Sequence, residues 1–262
     1  MSKDISKVMS KDKQKDNLKL RVYRNRIEMG KAAADAVAER ILRLMEVKSE
    51  INMVFAAAPS QNEFLAALVT NPEIQWEWIN AFHLDEYIGL GSEAPQGFGN
   101  FLRDRLFGKV GFKSVNYLNG RSNHELLECD RYSKLLKEHP LDIACIGIGE
   151  NGHLAFNDPP VADFKDKALV KVVKLDEICR MQQVNDGCFL ALEQVPTHAF
   201  TLTIPAIMSA KYIYCMVPGK SKTMAVSQTL DGKISEACPA SILRRHEAVE
   251  LYLDEDSATG CK

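Results

Sequence analysis

Residues 147–159 of the chain read Gly-Ile-Gly-Glu-Asn-Gly-His-Leu-Ala-Phe-Asn-Asp-Pro, a glycine-rich turn that carries a histidine directly behind an apolar run. An imidazole held on such a turn, with Asp158 five residues on, is a candidate proton-transfer pair. A second charged knot, Phe82-His83-Leu84-Asp85-Glu86-Tyr87, sets two carboxylates at the end of an apolar run, where charge must be solvated or used. On an extended chain Asp85 and Glu86 face opposite ways, and Asp85 shares its face with His83. Partial burial would lift a carboxylate toward the working pH, as a general base requires. Two further loops follow apolar runs: Pro59-Ser60-Gln61-Asn62 and Val217-Pro218-Gly219-Lys220-Ser221-Lys222. Each opens a helix, so each offers free backbone N–H groups to an anion, and the second adds lysine charge. Each loop taken alone also has a plainer reading: Ser60 and Asp85 as helix caps, His153 on a solvent-facing loop, and the lysines as surface residues.

Four such loops on one sheet edge need elements to hold them there. Buried apolar runs predict strands over 18–23, 51–58, 78–84, 141–148, 170–175, 199–203, 212–217 and 249–253. Helical spacing of apolar residues predicts helices over 27–45, 63–69, 100–107, 126–138, 176–184 and 221–230. Strands alternating with helices imply right-handed crossovers and an α/β fold: one open, mostly parallel sheet with helices on both faces. Loops past the carboxyl ends of such strands are where ligands bind. Residues 1–17, rich in Lys, Asp and Ser, read as a flexible N-terminal extension, and 18–262 as a single domain.

Composition narrows the class. With 262 residues, 46% hydrophobic and 26% charged, the chain can bury a large core. A net charge of −2 gives no field that would favour nucleic acid or an anionic membrane. No apolar run approaches the ~20 residues of a membrane span, and no signal peptide opens the sequence, so a cytoplasmic location is expected. The seven cysteines form no C-x-x-C pair and are odd in number. They point to a reducing compartment, with neither a disulfide framework nor a zinc site.

Taken in order, HLDEYIGL, GIGENGHLAFNDP, VPTHAFTLTIPAIM, VPGKSKTMAV and CPASILRRH resemble the glucosamine-6-phosphate deaminase (isomerase) family, over roughly residues 18–255. The resemblance implies a Rossmann-like fold and conversion of an amino-sugar phosphate into a ketose phosphate plus ammonia, without redox cofactor or catalytic metal. It implies that Asp85 is the base moving a proton between C2 and C1, and that His153 assists ring opening with Asp158 in support. Lys222 and the Ser60–Gln61–Asn62 turn then bind the sugar phosphate, and Glu86 is placed with them. The partner is a small sugar phosphate, with no nucleic acid or membrane, and a homo-oligomer is compatible.

The sequence departs from the family pattern in four places. An acidic residue two before the histidine is Asn151 here, which can orient the ring by hydrogen bonding but brings no charge. The usual Glu is Asp158, whose shorter side chain predicts a carboxylate ~1 Å or more further away. The glycine-rich phosphate turn is Ser60-Gln61-Asn62. Where the family places a phosphate-binding arginine the chain reads Asp-Glu-Ile-Cys-Arg-Met-Gln-Gln over 176–183, so either Arg180 substitutes or the glutamines mark a different ligand. Alternatives are a deaminase-like enzyme on another sugar or sugar phosphate, a 6-phosphogluconolactonase, and a non-catalytic sugar-phosphate sensor. The lactonase ranks low because LAFNDP replaces its TASLFP-like run. The sensor is disfavoured because Asp85 and His153 are both present.

Overall fold

The computed structural model describes residues 13–259 apart from residue 186. Its centre is a sheet of eight strands in the order β1-β2-β11-β10-β7-β3-β4-β6. These are β1 (Lys13–Lys15), β2 (Leu18–Tyr23), β3 (Ile51–Phe55), β4 (Ile79–His83), β6 (Ser114–Asn116), β7 (Ile143–Ile146), β10 (Tyr212–Val217) and β11 (Val249–Asp254). Every pairing is parallel except β1 with β2.

Alternation along the inner strands builds a core on each face. Met53 and Phe55, Ile143 and Cys145, and Tyr214 and Met216 fall in one apolar cluster. Val54, Ala144 and Ile146, and Cys215 and Val217 fall in the other. That is why β7 reads as an unbroken apolar run: a strand covered on both sides has no polar face to show. The polar interruptions of β3 and β4, Asn52, Asn80 and His83, are buried for the same reason, with Asn80 donating to Asn52 at 2.9 Å. The first cluster is roofed by α1 (Arg26–Met45) and α2 (Asn62–Val69), the second by α4 (Glu125–Glu138) and α7 (Thr223–Asp231). Asn25 starts α1 by accepting a hydrogen bond from the Glu28 amide, and Met29, Ala33, Val37 and Ile41 then follow at helical spacing on its buried side.

The expected α/β architecture holds, with two corrections. The strands expected near 170 and 199 do not join the main sheet. β8 (Val170–Lys174) and β9 (His198–Leu202) pair antiparallel, and a three-residue strand, β5 (Asp85–Tyr87), completes a second small sheet. Leu84 hinges the two sheets: its amide donates to Phe55 O and its carbonyl accepts from Leu202 N. The second correction is at the start of the chain. The expected extension over 1–17 lies outside the described residues as far as 12, but Lys13–Lys15 pair with Leu18–Leu20 as a hairpin. The helix expected over 100–107 is α3 (Phe98–Leu102) continued by a π-helical turn, and α6 (Ile204–Met208) and β6 are too short to show a period in sequence. No helix among the described residues is long and apolar enough to cross a membrane.

Candidate active site

The four singled-out loops leave the carboxyl ends of β3, β4, β7 and β10, which are neighbours in the sheet. They therefore meet at one rim and enclose a cleft lined by Ser60, Gln61, Asp85, His153, Gly219, Ser221 and Lys222 among others. The cleft lies where an open parallel sheet binds its ligands.

Asp85 enters as the first residue of β5 and is only 6% exposed. Burial, and next the charge of Glu86, push its carboxyl well above the usual carboxylate range. Glu86 points the other way. Its Oε1 accepts from Phe98 N at 3.0 Å and its Oε2 from Gly99 N at 2.8 Å, so it caps the start of α3 outside the cleft. The placing of Glu86 with the substrate is thus corrected, and the reason is the alternation that separates the two carboxylates. His83 is fully buried behind the rim, where its Nε2 accepts from Leu118 N at 2.8 Å. Burial holds its ring down at about 4, so it stays neutral and does not face the cleft.

His153 is held by a small polar cage. Its Nδ1 lies 2.8 Å from Asn151 Oδ1 and 2.9 Å from Asp158 Oδ1, and Asn151 Nδ2 donates to the same Asp158 oxygen at 2.9 Å. Two acceptors facing Nδ1 keep a proton there and leave Nε2 for chemistry. The shortfall expected from Asp158 does not occur, because the shorter carboxylate still reaches the ring. Burial alone would raise the Asp158 carboxyl, but His153, Asn151 and the Cys179 thiol together hold it below its ordinary value. Asn157, to which nothing in the sequence motifs had assigned a role, fastens this loop to the small sheet by donating to Leu154 O and Leu202 O, each at 2.8 Å. Ala155 in the same loop takes a left-handed φ of 50°, a local strain at a functional turn.

Gly149 has a steric reason. A Cβ there would sit 2.1–2.3 Å from the His153 ring atoms. Gly149→Ala is expected to eject the imidazole, lowering kcat at least ~100-fold for about 1–3 kcal/mol of stability. Paired kinetics and thermal melts check this. A variant of unchanged kcat would mean that the ring position is irrelevant.

At the other end, Gly219 adopts φ 96° and its amide donates to both Asp254 carboxylate oxygens at 3.0 Å, fixing the loop that carries Ser221 and Lys222. Lys222 is 7% exposed and lines the cleft, so it is not an ordinary surface lysine. Ser60 does not cap a helix. It sits within a 3₁₀ turn, and its Oγ accepts from Gln61 Nε2 at 3.1 Å. Gln61 also donates to Met216 O at 3.3 Å, stitching the β3 loop to β10. Arg26, which nothing in its sequence context singles out, also lines the cleft, where it bonds Pro59 O and Glu63, each at 2.9 Å.

Two assigned ligand contacts lie elsewhere. Asn62 turns outward to accept from Arg105 at 2.8 Å. Arg180 spends its guanidinium on the carbonyls of Leu192 at 2.6 Å and Val195 at 2.9 Å. A helix presents only one side to the cleft, and on α5 (Glu177–Asn185) that side carries Gln182 and Gln183. His153, Asp158 and Cys179 bring their donor atoms within 4.8 Å of one another. Burial, and next Asp158, push the thiol far above its ordinary range, so it stays protonated and the cluster is held by hydrogen bonds.

The sequence matches the family described as glucosamine-6-phosphate isomerases/6-phosphogluconolactonase over residues 24–252. It is 34% identical over 229 residues to the glucosamine-6-phosphate deaminase of Listeria monocytogenes serovar 1/2a, spanning 87% of this chain and 96% of that protein. The corresponding deaminase of Streptococcus suis is 32% identical over 242 residues, 92% of this chain and 99% of its own. Among solved structures, a monomeric glucosamine-6-phosphate deaminase superposes with a TM-score of 0.83 at 30% identity, covering 92% of this chain and 98% of that one. The 6-phosphogluconolactonase of Trypanosoma brucei reaches 0.76 at 17% identity over 96% and 100% of the two chains, a likeness of fold alone. Shared architecture, matched motifs and a cleft at the expected rim agree, and the chain belongs to the glucosamine-6-phosphate isomerase/6-phosphogluconolactonase family.

Proposed function

We propose that the protein converts glucosamine 6-phosphate and water into fructose 6-phosphate and ammonia. The observation that carries this reading is the presence of Asp85, His153 and Lys222 on one cleft. Ring opening needs a proton delivered to the ring oxygen, and His153 is oriented for it by Asn151 and Asp158. Isomerisation then needs one base to remove the C2 proton and return it to C1. A buried carboxyl with a raised pKa meets that requirement, being basic enough to take the proton and acidic enough to give it back. The imine so formed at C2 is hydrolysed, and nitrogen leaves as ammonia. Lys222, with the backbone of the turns at Ser60 and Ser221, is assigned to the phosphate. No step calls for a redox cofactor, and the enzyme acts as a deaminase/isomerase of carbohydrate metabolism in the cytoplasm.

The test is a coupled assay of ammonia and fructose 6-phosphate with purified protein. Equal molar release of both supports the reading, and acid release from 6-phosphogluconolactone without ammonia would replace it. Lys222→Ala is expected to raise KM for the phosphorylated sugar roughly 10- to 100-fold and to leave unphosphorylated glucosamine unaffected. An equal effect on both would remove Lys222 from the phosphate.

A further inference from the structure

Helix α5 forms one wall of the cleft, and that wall is pinned on several sides. Asp176 caps its start by accepting from Cys179 N at 2.6 Å, and Arg180 ties its outer side to the 192–195 turn. Gln182 ties its inner side to the catalytic loop, its Oε1 accepting from Glu150 N at 3.0 Å. Gln183 is next to it, 8% exposed and in the cleft lining. Its side-chain amide makes no hydrogen bond to any of the described residues.

The amide N and O are not sealed from solvent, so the small part of Gln183 that stays open offers an unclaimed donor and acceptor to the cleft. A ligand seated in the cleft would displace solvent from that amide and take its place as partner. An amide offers two donors and one acceptor, which matches a hydroxyl group that both accepts and donates. A phosphate dianion accepts only, so it would use the amide donors and leave the amide carbonyl without a ligand partner. The cations that line the cleft with this amide, Lys222 and Arg26, come from the turn after β10 and from the start of α1.

We infer that Gln183 is a specificity-determining residue that hydrogen-bonds a ring or chain hydroxyl of the sugar, and not its phosphate. The inference rests on the reading of the cleft as a sugar-phosphate site. With Gln182 fixed to the loop of His153, the amide is held in register with the catalytic groups, so a sugar lacking that hydroxyl or presenting it on the other face is rejected.

KM for glucosamine 6-phosphate, and the inhibition constants of its 3-deoxy and 4-deoxy analogues against that turnover, taken as measures of binding to the whole chain, test this in native protein, Gln183→Leu and Gln183→Asn. Native protein is expected to bind one deoxy analogue roughly 10- to 100-fold more weakly than the parent. In Gln183→Leu that discrimination disappears, because parent and analogue now bind alike, and the other analogue keeps its native ratio. Gln183→Asn, with the same group on a shorter stem, restores part of the preference. A merely structural role would weaken all three ligands together, and that result overturns the inference. So does discrimination that survives in Gln183→Leu, or a loss in that variant seen for phosphorylated sugars and absent for glucosamine itself. If no sugar phosphate binds native protein, both the inference and the function it rests on are overturned, whereas binding without coupling to Gln183 overturns the inference alone.

Discussion

Asp85→Asn is expected to lower kcat by ~10³-fold or more while raising the melting temperature at neutral and alkaline pH. The amide has nearly the shape of the carboxyl but cannot take a proton, and positioned general bases contribute on the order of 10²–10⁴. The rise in stability follows from the direction of the shift. Asp85 is held above its ordinary value in the fold by burial and by Glu86. A group raised in this way contributes stability that is present below its unfolded pKa and is lost as pH rises through the folded one. The native protein therefore carries a desolvated carboxylate at high pH that Asp85→Asn lacks, and the two should melt alike in acid. The same shift sets the activity profile: kcat/KM should climb with pH as Asp85 ionises, with its acidic limb displaced upward from an ordinary carboxylate. Calorimetric scans across pH and initial rates on the same samples check both halves. A variant that is inactive and also less stable at every pH would point to a structural role.

Asp158→Asn should act in the opposite sense on stability. Its carboxylate sits 2.9 Å from His153 Nδ1, with both side chains nearly enclosed. Losing the charge leaves His153 Nδ1 facing two amides, one of which can turn its donor end toward the ring, so kcat/KM is expected to fall ~10²-fold. Asp158 is held below its ordinary value in the fold. Its contribution is therefore present above the unfolded pKa and disappears as pH falls through the folded one. The variant should be less stable than native protein by about 1–3 kcal/mol near neutrality, with the gap closing in acid. A gap that widened in acid would contradict the assignment of charge to Asp158.

The parts of this molecule that are legible in its sequence are those whose signal is local and periodic. The inner strands are covered on both faces, so their apolar runs appear directly, and the loops behind them stand out by residue type alone. What escapes depends on contacts distant in sequence. β5 is three residues long and is defined by pairing with residues more than a hundred positions on, from Thr201 to Ala199. A stretch of that length carries no period to read. Arg180 and Gln183 stand three apart on one helix, and only the packing of α5 against the 192–195 turn decides which of them faces the cleft. Charge draws attention to Arg180, yet a guanidinium can be spent on carbonyls as readily as on phosphate. The positions of Glu86 and Asn62 follow the same logic, because the amides at the start of α3 engage Glu86 and the Arg105 guanidinium engages Asn62. Asn157 has no charge to advertise it, although a fully buried asparagine inside a cleft-lining loop has to bond to something.

The most direct test of proton transfer by Asp85 within this cleft is loss of the C2 proton of glucosamine 6-phosphate in deuterium oxide, followed by nuclear magnetic resonance. Native protein should remove that proton at least as fast as ammonia appears, and Asp85→Asn, folded and still binding the sugar, should leave it in place. Equal rates of C2 proton loss in the two proteins would contradict the account.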